Sequence, residues 1–163
     1  GQLLFICTHL DHTGDPGERL FSETQFADLF ARHTGLPALL CGDFNDMPDS
    51  ELHKRLSKKW TDAWGIAGKG NGFTMSSKNP TRRIDYIWLS GKKNFRVRWM
   101  DVPNTEASDH LPLVAEIQFK PAPHAMSTPE LALLIIVMTL LSAIPIGIAS
   151  TIIISSRRSK KQE

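Results

Sequence analysis

Apolar and polar positions follow two rhythms along the first part of the chain. Leu3 to His9 opens as an apolar run and reads as a strand. Glu18 to His33 carries Phe26, Leu29 and Phe30 on one side of a 3.6-residue period, which predicts a helix stopped at Thr34-Gly35. Pro37 to Gly42 is a short, fully apolar strand, and Asp49 or Ser50 is placed to cap a short helix carrying Leu52 and Leu56. Arg83 to Ser90 and Phe95 to Val102 read as strands, and Leu113 to Phe119 alternates as the last one. The strands are too regular for a helical bundle, so the expected class is α/β or α+β. No internal repeat is visible.

The rhythm breaks near Lys120. Residues 121–130 hold Pro121, Pro123 and Pro129 and read as an extended linker. From Leu131 to Ser156 no residue is charged. A bilayer core takes about 20 apolar residues as helix, so 131–156 is expected to span a membrane; Pro145 and Gly147 are kinks such helices tolerate. A buried core helix is the alternative, and the flanking linker and basic tail argue against it. That tail, 157–163, carries Arg157, Arg158, Lys160 and Lys161, so the C-terminus is expected in the cytoplasm and residues 1–120 on the far side of a single-pass membrane anchor. Pro129-Glu130, the apolar stretch and the basic tail together also resemble prokaryotic C-terminal sorting signals of the PEP-CTERM kind, which are processed after export.

Charge and cysteine content narrow the field. The net charge of +2 is accounted for by the basic tail, leaving the rest near neutral. The strongly basic footprint of a nucleic-acid-binding domain is missing. Cys7 and Cys41 each lie in an apolar run and read as buried thiols, and no zinc-type spacing is present.

Four clusters at the ends of predicted strands carry the chemistry: Thr8-His9-Leu10-Asp11-His12, Gly42-Asp43-Phe44-Asn45, Arg83-Ile84-Asp85-Tyr86-Ile87 and Ser108-Asp109-His110. A strand end fixes the backbone while its side chains reach a cleft between loops. Taken singly, an Asp before Asn is a common turn, Ser-Asp-His a helix cap, and His12 a loop residue. Asp85 is less ordinary, because a carboxylate between Ile84 and Tyr86 is costly to bury without a histidine or metal partner. Hydrolysis of a phosphate ester needs a deprotonated water, neutralised phosphoryl oxygens and a stabilised leaving oxygen. Asp suits a hard cation, His moves protons near neutral pH, and Asn orients without adding charge. His9, Asp43, Asn45, Asp85, Asp109 and His110 fit those needs.

In order and spacing, Thr-His-Leu, Gly-Asp-Phe-Asn, Arg-Ile-Asp-Tyr-Ile and Ser-Asp-His-Leu-Pro resemble the endonuclease/exonuclease/phosphatase superfamily across residues 1 to about 120. The resemblance implies a Mg²⁺- or Mn²⁺-dependent phosphoesterase. Asp43 would activate or position the water, and Asn45 would hold Asp43 and the phosphate. Asp109, with Asp43, would bind metal. His110 would contact the phosphate or move a proton, with Asp85 fixing its ring, and His9 would be the second phosphate-contacting histidine. Arg83 is a candidate phosphate contact, although an ordinary surface arginine is the plainer reading. Side chains alternate along a strand, so Cys7 and Cys41 should lie on the same face as His9 and Asp43 if two neighbouring strands enter the site side by side.

The family fold is a four-layer α/β/β/α sandwich built from two halves, and the resemblance implies that this chain is the second half. The family's upstream Asn and Gln-Glu motifs, the latter with a principal metal ligand, have no counterpart here. The stretch as given is therefore expected to bind metal poorly, turn over little substrate and leave one sheet face uncovered. A phosphodiester in nucleic acid, a phospholipid headgroup and a small phosphomonoester all remain open as substrates; no obligate protein partner is evident. The rival readings are a non-catalytic membrane-tethered binding module and a soluble enzyme without a spanning helix. The basic loop 66–82, with Lys69, Phe73, Lys78 and Arg82 and with Arg83 directly after it, reads as a solvated loop or a substrate-side loop.

Overall fold

The apolar runs become strands and the 3.6-period stretch becomes a helix, in a computed structural model that describes residues 2–119. The expected membrane span over 131–156, with its linker and basic tail, lies outside the described residues. Among the described residues no helix is long and apolar enough to cross a membrane.

The order is β1 (Leu4–His9), α1 (Gly17–Arg32), β2 (Ala38–Asp43), α2 (Glu51–Leu56), β3 (Trp60–Asp62), α3 (Trp64–Ala67), β4 (Asp85–Ser90), β5 (Phe95–Asp101) and β6 (Val114–Phe119). β1 and β2 pair in parallel, joined by α1 as a crossover; β4 runs antiparallel to both β2 and β3, giving the sheet order β1-β2-β4-β3. β5 and β6 form a separate antiparallel pair. The sequence pattern missed β3 and α3, which are three and four residues long and too short to show a period. Of the two candidate caps for α2, Ser50 accepts the His53 N–H at 3.1 Å.

The sheet is covered on one face and, over β2 and β4, on the other. On one, α1 and α2 bury Phe26, Leu52 and Leu56 against Leu40, Tyr86 and Trp88. On the other, the β5–β6 pair lays Phe95 and Met100, with Ile117 and Phe119, against Leu39, Ile87 and Leu89 of β2 and β4. This is a mixed α/β fold of three layers within the described residues: helices, sheet, and a second small sheet. The second sheet reaches β2 and β4 but not β1, so Phe5 is 61% exposed.

The same gap corrects the expectation for the cysteines. Both are free; Cys7 is exposed and Cys41 half-buried, because no layer among the described residues sits over that face of β1. They do lie side by side in register, as do His9 and Asp43 two residues on. Burial pushes the Cys41 thiol up to about 11, with its neighbour Cys7 adding to the shift.

Gly42 makes the β1–β2 approach possible. Its φ is 136°, and a Cβ there would collide with the backbone carbonyl of Thr8.

Candidate active site

Register assembles the site. His9 at the end of β1 is opposite Asp43 at the end of β2, and Asp43 is opposite Asp85 at the start of β4. Three neighbouring strands thus place an imidazole and two carboxylates in one row on one face. A loop brings in the fourth group: Leu111 N–H donates to the Thr74 carbonyl at 2.7 Å, and Ser77 N–H to the Asp109 carbonyl at 2.7 Å, which seats His110 over the row.

The distances define a connected cluster. His110 Nδ1 lies 2.9 Å from Asp85 Oδ2, and its Nε2 is 3.7 Å from Asp43 Oδ2. His9 Nε2 approaches the same Asp43 oxygen at 3.5 Å, with 73% of the His9 side chain open to solvent. Asn45 adopts a left-handed backbone, φ 48°, a conformation that Asn tolerates. Its N–H donates to Asp43 Oδ1 at 2.8 Å and its side-chain amide to the Leu10 carbonyl at 2.9 Å. Leu10 N–H in turn donates to the Asp43 carbonyl at 2.9 Å, so the two loops leaving β1 and β2 are tied to each other. A cavity of about 430 Å³ opens beside Asp85 and His110, lined also by Thr105, Ser108 and Leu113.

Electrostatics divides the roles. Burial raises the Asp43 carboxyl above its usual range; the Asn45 N–H opposes the shift and the charge of Asp85 adds to it. Burial works against a charged His110 ring, but the Asp85 hydrogen bond and the charges of Asp85, Asp43 and Asp109 outweigh it, so its affinity for a proton is raised. The result is a carboxylate poised to accept a proton beside an imidazole inclined to hold one.

The structure brings together His9, Asp43, Asn45, Asp85 and His110. Asp109 stands apart: its carboxylate is exposed and accepts the Ser108 hydroxyl at 3.1 Å, and it is outside the group Asp43, Asp85 and His110, whose ligand atoms all lie within 4.8 Å of one another. Arg83 differs from both of its sequence readings. It is buried, donates to Asp62 at 2.7 Å and lies 4.6 Å over the Tyr86 ring, so it is neither a surface arginine nor a free phosphate contact. The reason is Asp62, which β3 brings next to β4 and which no local pattern announces. Sequence reasoning also passed over Arg19 and Asp46. Arg19 is buried, with its Nε 3.5 Å from Asp46 Oδ2. A charge in the first turn of a helix looks solvated, so only the adjacency of Asp46 to Asn45 offered a signal.

The sequence family described as endonuclease/exonuclease/phosphatase matches residues 3–110. Among solved structures, a functionally unknown conserved protein from Enterococcus faecalis is 28% identical, with a TM-score of 0.61 over 71% of this chain and 50% of that one. An endonuclease/exonuclease/phosphatase family protein from Bacteroides thetaiotaomicron is 26% identical, with a TM-score of 0.62 over 71% and 49%. A mannosyl-6-phosphatase from the same organism is 28% identical, with a TM-score of 0.57 over 71% and 51%. The chain spans about half the length of these structures. No curated protein matches it.

Proposed function

We propose that this chain, which belongs to the endonuclease/exonuclease/phosphatase family, supplies the proton-handling and phosphate-contacting residues of a metal-dependent phosphoesterase. The family is one of hydrolases that act on phosphoric ester bonds. The observation that carries the reading is the row of His9, Asp43 and Asp85 in register across three strands, closed by His110 bonded to Asp85.

The chemistry follows from that geometry. Asp43 takes the proton of the attacking water, and the Asn45 N–H fixes the carboxylate so that its second oxygen faces the cleft. Asp85 fixes the His110 ring through Nδ1, which leaves Nε2 to donate to a phosphoryl oxygen. His9, exposed and on the far side of Asp43, makes the second phosphate contact. The cluster fits a divalent cation, because two carboxylates sharing one corner are joined by an anionic substrate and their charge calls for neutralisation. Mg²⁺ or Mn²⁺ would be held by the carboxylates of Asp43 and Asp85, beside which Asp109, the ligand the family resemblance implies, lies outside the cluster. Such an ion, when bound, neutralises charge on the phosphoryl group.

The substrate classes are a small phosphomonoester, a phospholipid headgroup and a nucleic-acid phosphodiester. The likeness to a mannosyl-6-phosphatase supports the first. The apolar stretch 131–156 and the basic tail support a membrane anchor with the catalytic residues outside the cytoplasm. The test is hydrolysis of mannose 6-phosphate, bis-p-nitrophenyl phosphate and a short DNA by the full-length protein, with and without Mg²⁺. Loss of turnover in Asp43→Asn supports an enzyme; unchanged phosphate binding with no turnover in either form supports a binding module instead. Fractionation with and without residues 121–163 tests the anchor.

A further inference from the structure

We propose that Arg19, on the first turn of α1, is a positioning residue that holds the loop after His9 in register with the loop after Asp43; the inference rests on the phosphoesterase reading of the site. β-pairing stops at His9 and Asp43, so nothing in the sheet ladder fixes the loops beyond them. Side chains and a few loop hydrogen bonds take over. Arg19 Nη1 donates to the carbonyls of Asp11 at 3.1 Å and Thr13 at 2.7 Å, both on the loop after β1. Its Nε faces Asp46 Oδ2 at 3.5 Å, on the loop after β2. Asp46 is anchored from the other side, since its carbonyl accepts the Tyr86 hydroxyl at 2.9 Å. Asn45 sits between Asp43 and Asp46 and bonds across to the Leu10 carbonyl. One guanidinium fork therefore spans both loops, a geometry that a lysine ammonium on its flexible stem cannot copy.

Two features separate this from ordinary packing. Arg19 is only 7% exposed, and a buried guanidinium with its partners on loops rather than on regular elements has little else to stabilise. Its Nε has no hydrogen-bond partner although the Asp46 carboxylate is beside it. The 3.5 Å approach of Nε to Asp46 Oδ2 is an ion pair, and the other Asp46 oxygen is held by the Met47 N–H at 3.0 Å.

The experiment compares wild type, Arg19→Lys and Asp46→Asn in the full-length protein, by backbone amide exchange and by steady-state hydrolysis. Leu10 N–H, which donates to the Asp43 carbonyl, reports on the junction of the loops, and Leu40 N–H, in the middle of β2, reports on the sheet. The expected result is exchange about tenfold faster at Leu10 with Leu40 unchanged, and kcat about tenfold lower with KM within about twofold. Equal acceleration at both amides, or at neither, overturns the proposal, as does faster Leu10 exchange with an unaltered kcat. Absence of hydrolysis in wild type overturns the phosphoesterase reading instead, and with it the positioning role, while Leu10 exchange still decides whether the clamp exists.

Discussion

Replacing Asp85 by Asn removes one charge and keeps the shape, so it isolates the pairing with His110. The bond from His110 Nδ1 to Asp85 Oδ2 is 2.9 Å long, with the two side chains 24% and 19% exposed. Hydrogen bonds to a charged group contribute about 1.5–3 kcal/mol. Partial exposure and the remaining attraction of Asp43 reduce this, so the proton affinity of His110 is expected to fall without being lost. The direction is set by the raised proton affinity of His110 in the folded chain. A histidine raised above its unfolded value stabilises the fold fully below that value, and the benefit is lost as pH rises through the folded pKa. The Asp85→Asn protein should therefore lose more thermal stability relative to wild type at pH ~5.5 than at pH ~8, since the unfolded value is about 6.5. The assay is an NMR titration of the His110 ring in both proteins, alongside melting curves at the two pH values. A wild-type ring titrating at or below about 6.5, or one that Asp85→Asn leaves in place, rules out a stabilising pair between His110 and Asp85.

Asp43→Asn should lower turnover by about 10²–10⁴-fold while raising the melting temperature at pH ~7, because burial makes the ionised carboxylate a cost to the fold; differential scanning calorimetry beside a rate assay checks both. Gly42→Ala should destabilise by about 3 kcal/mol or more, read by urea unfolding, since a Cβ there meets the Thr8 carbonyl at a positive φ. Arg83→Met leaves Asp62 buried without its ion-pair partner and should cost about 3 kcal/mol of stability by urea unfolding, with KM for phosphate esters unchanged in protein that remains folded.

The candidate site was legible where its residues coincide with strand ends. His9, Asp43 and Asp85 each close or open a run whose period is visible, and parity along two parallel strands was enough to align Cys7 with Cys41 and His9 with Asp43. What escaped depends on contacts distant in sequence. Arg83 is buried because β3 delivers Asp62 to it, and Arg19 because two loops fold back on α1; neither residue differs locally from a surface arginine. The cysteines escaped for the opposite reason: an apolar run predicts burial only where another layer arrives, and the β5–β6 pair stops short of β1. Asp109 lies one residue from His110, yet its side chain turns to Ser108, a choice of rotamer and loop path that no motif records.

Among the described residues the flank of β1 is bare, and this has a colloidal consequence. Leu4 to Cys7 is a short ribbon with no charge and no proline, on the terminal strand of its sheet, with Phe5 standing out beside it. Natural edges are usually protected by lysine, proline or a bulge that turns a second copy away. In concentrated solution an edge left open in this way favours strand-to-strand addition between molecules, so the shelf life of this stretch in a tube would turn on four residues that adjoin its candidate site in sequence. A lysine in place of Phe5 blunts that edge, and light scattering against protein concentration reads the difference.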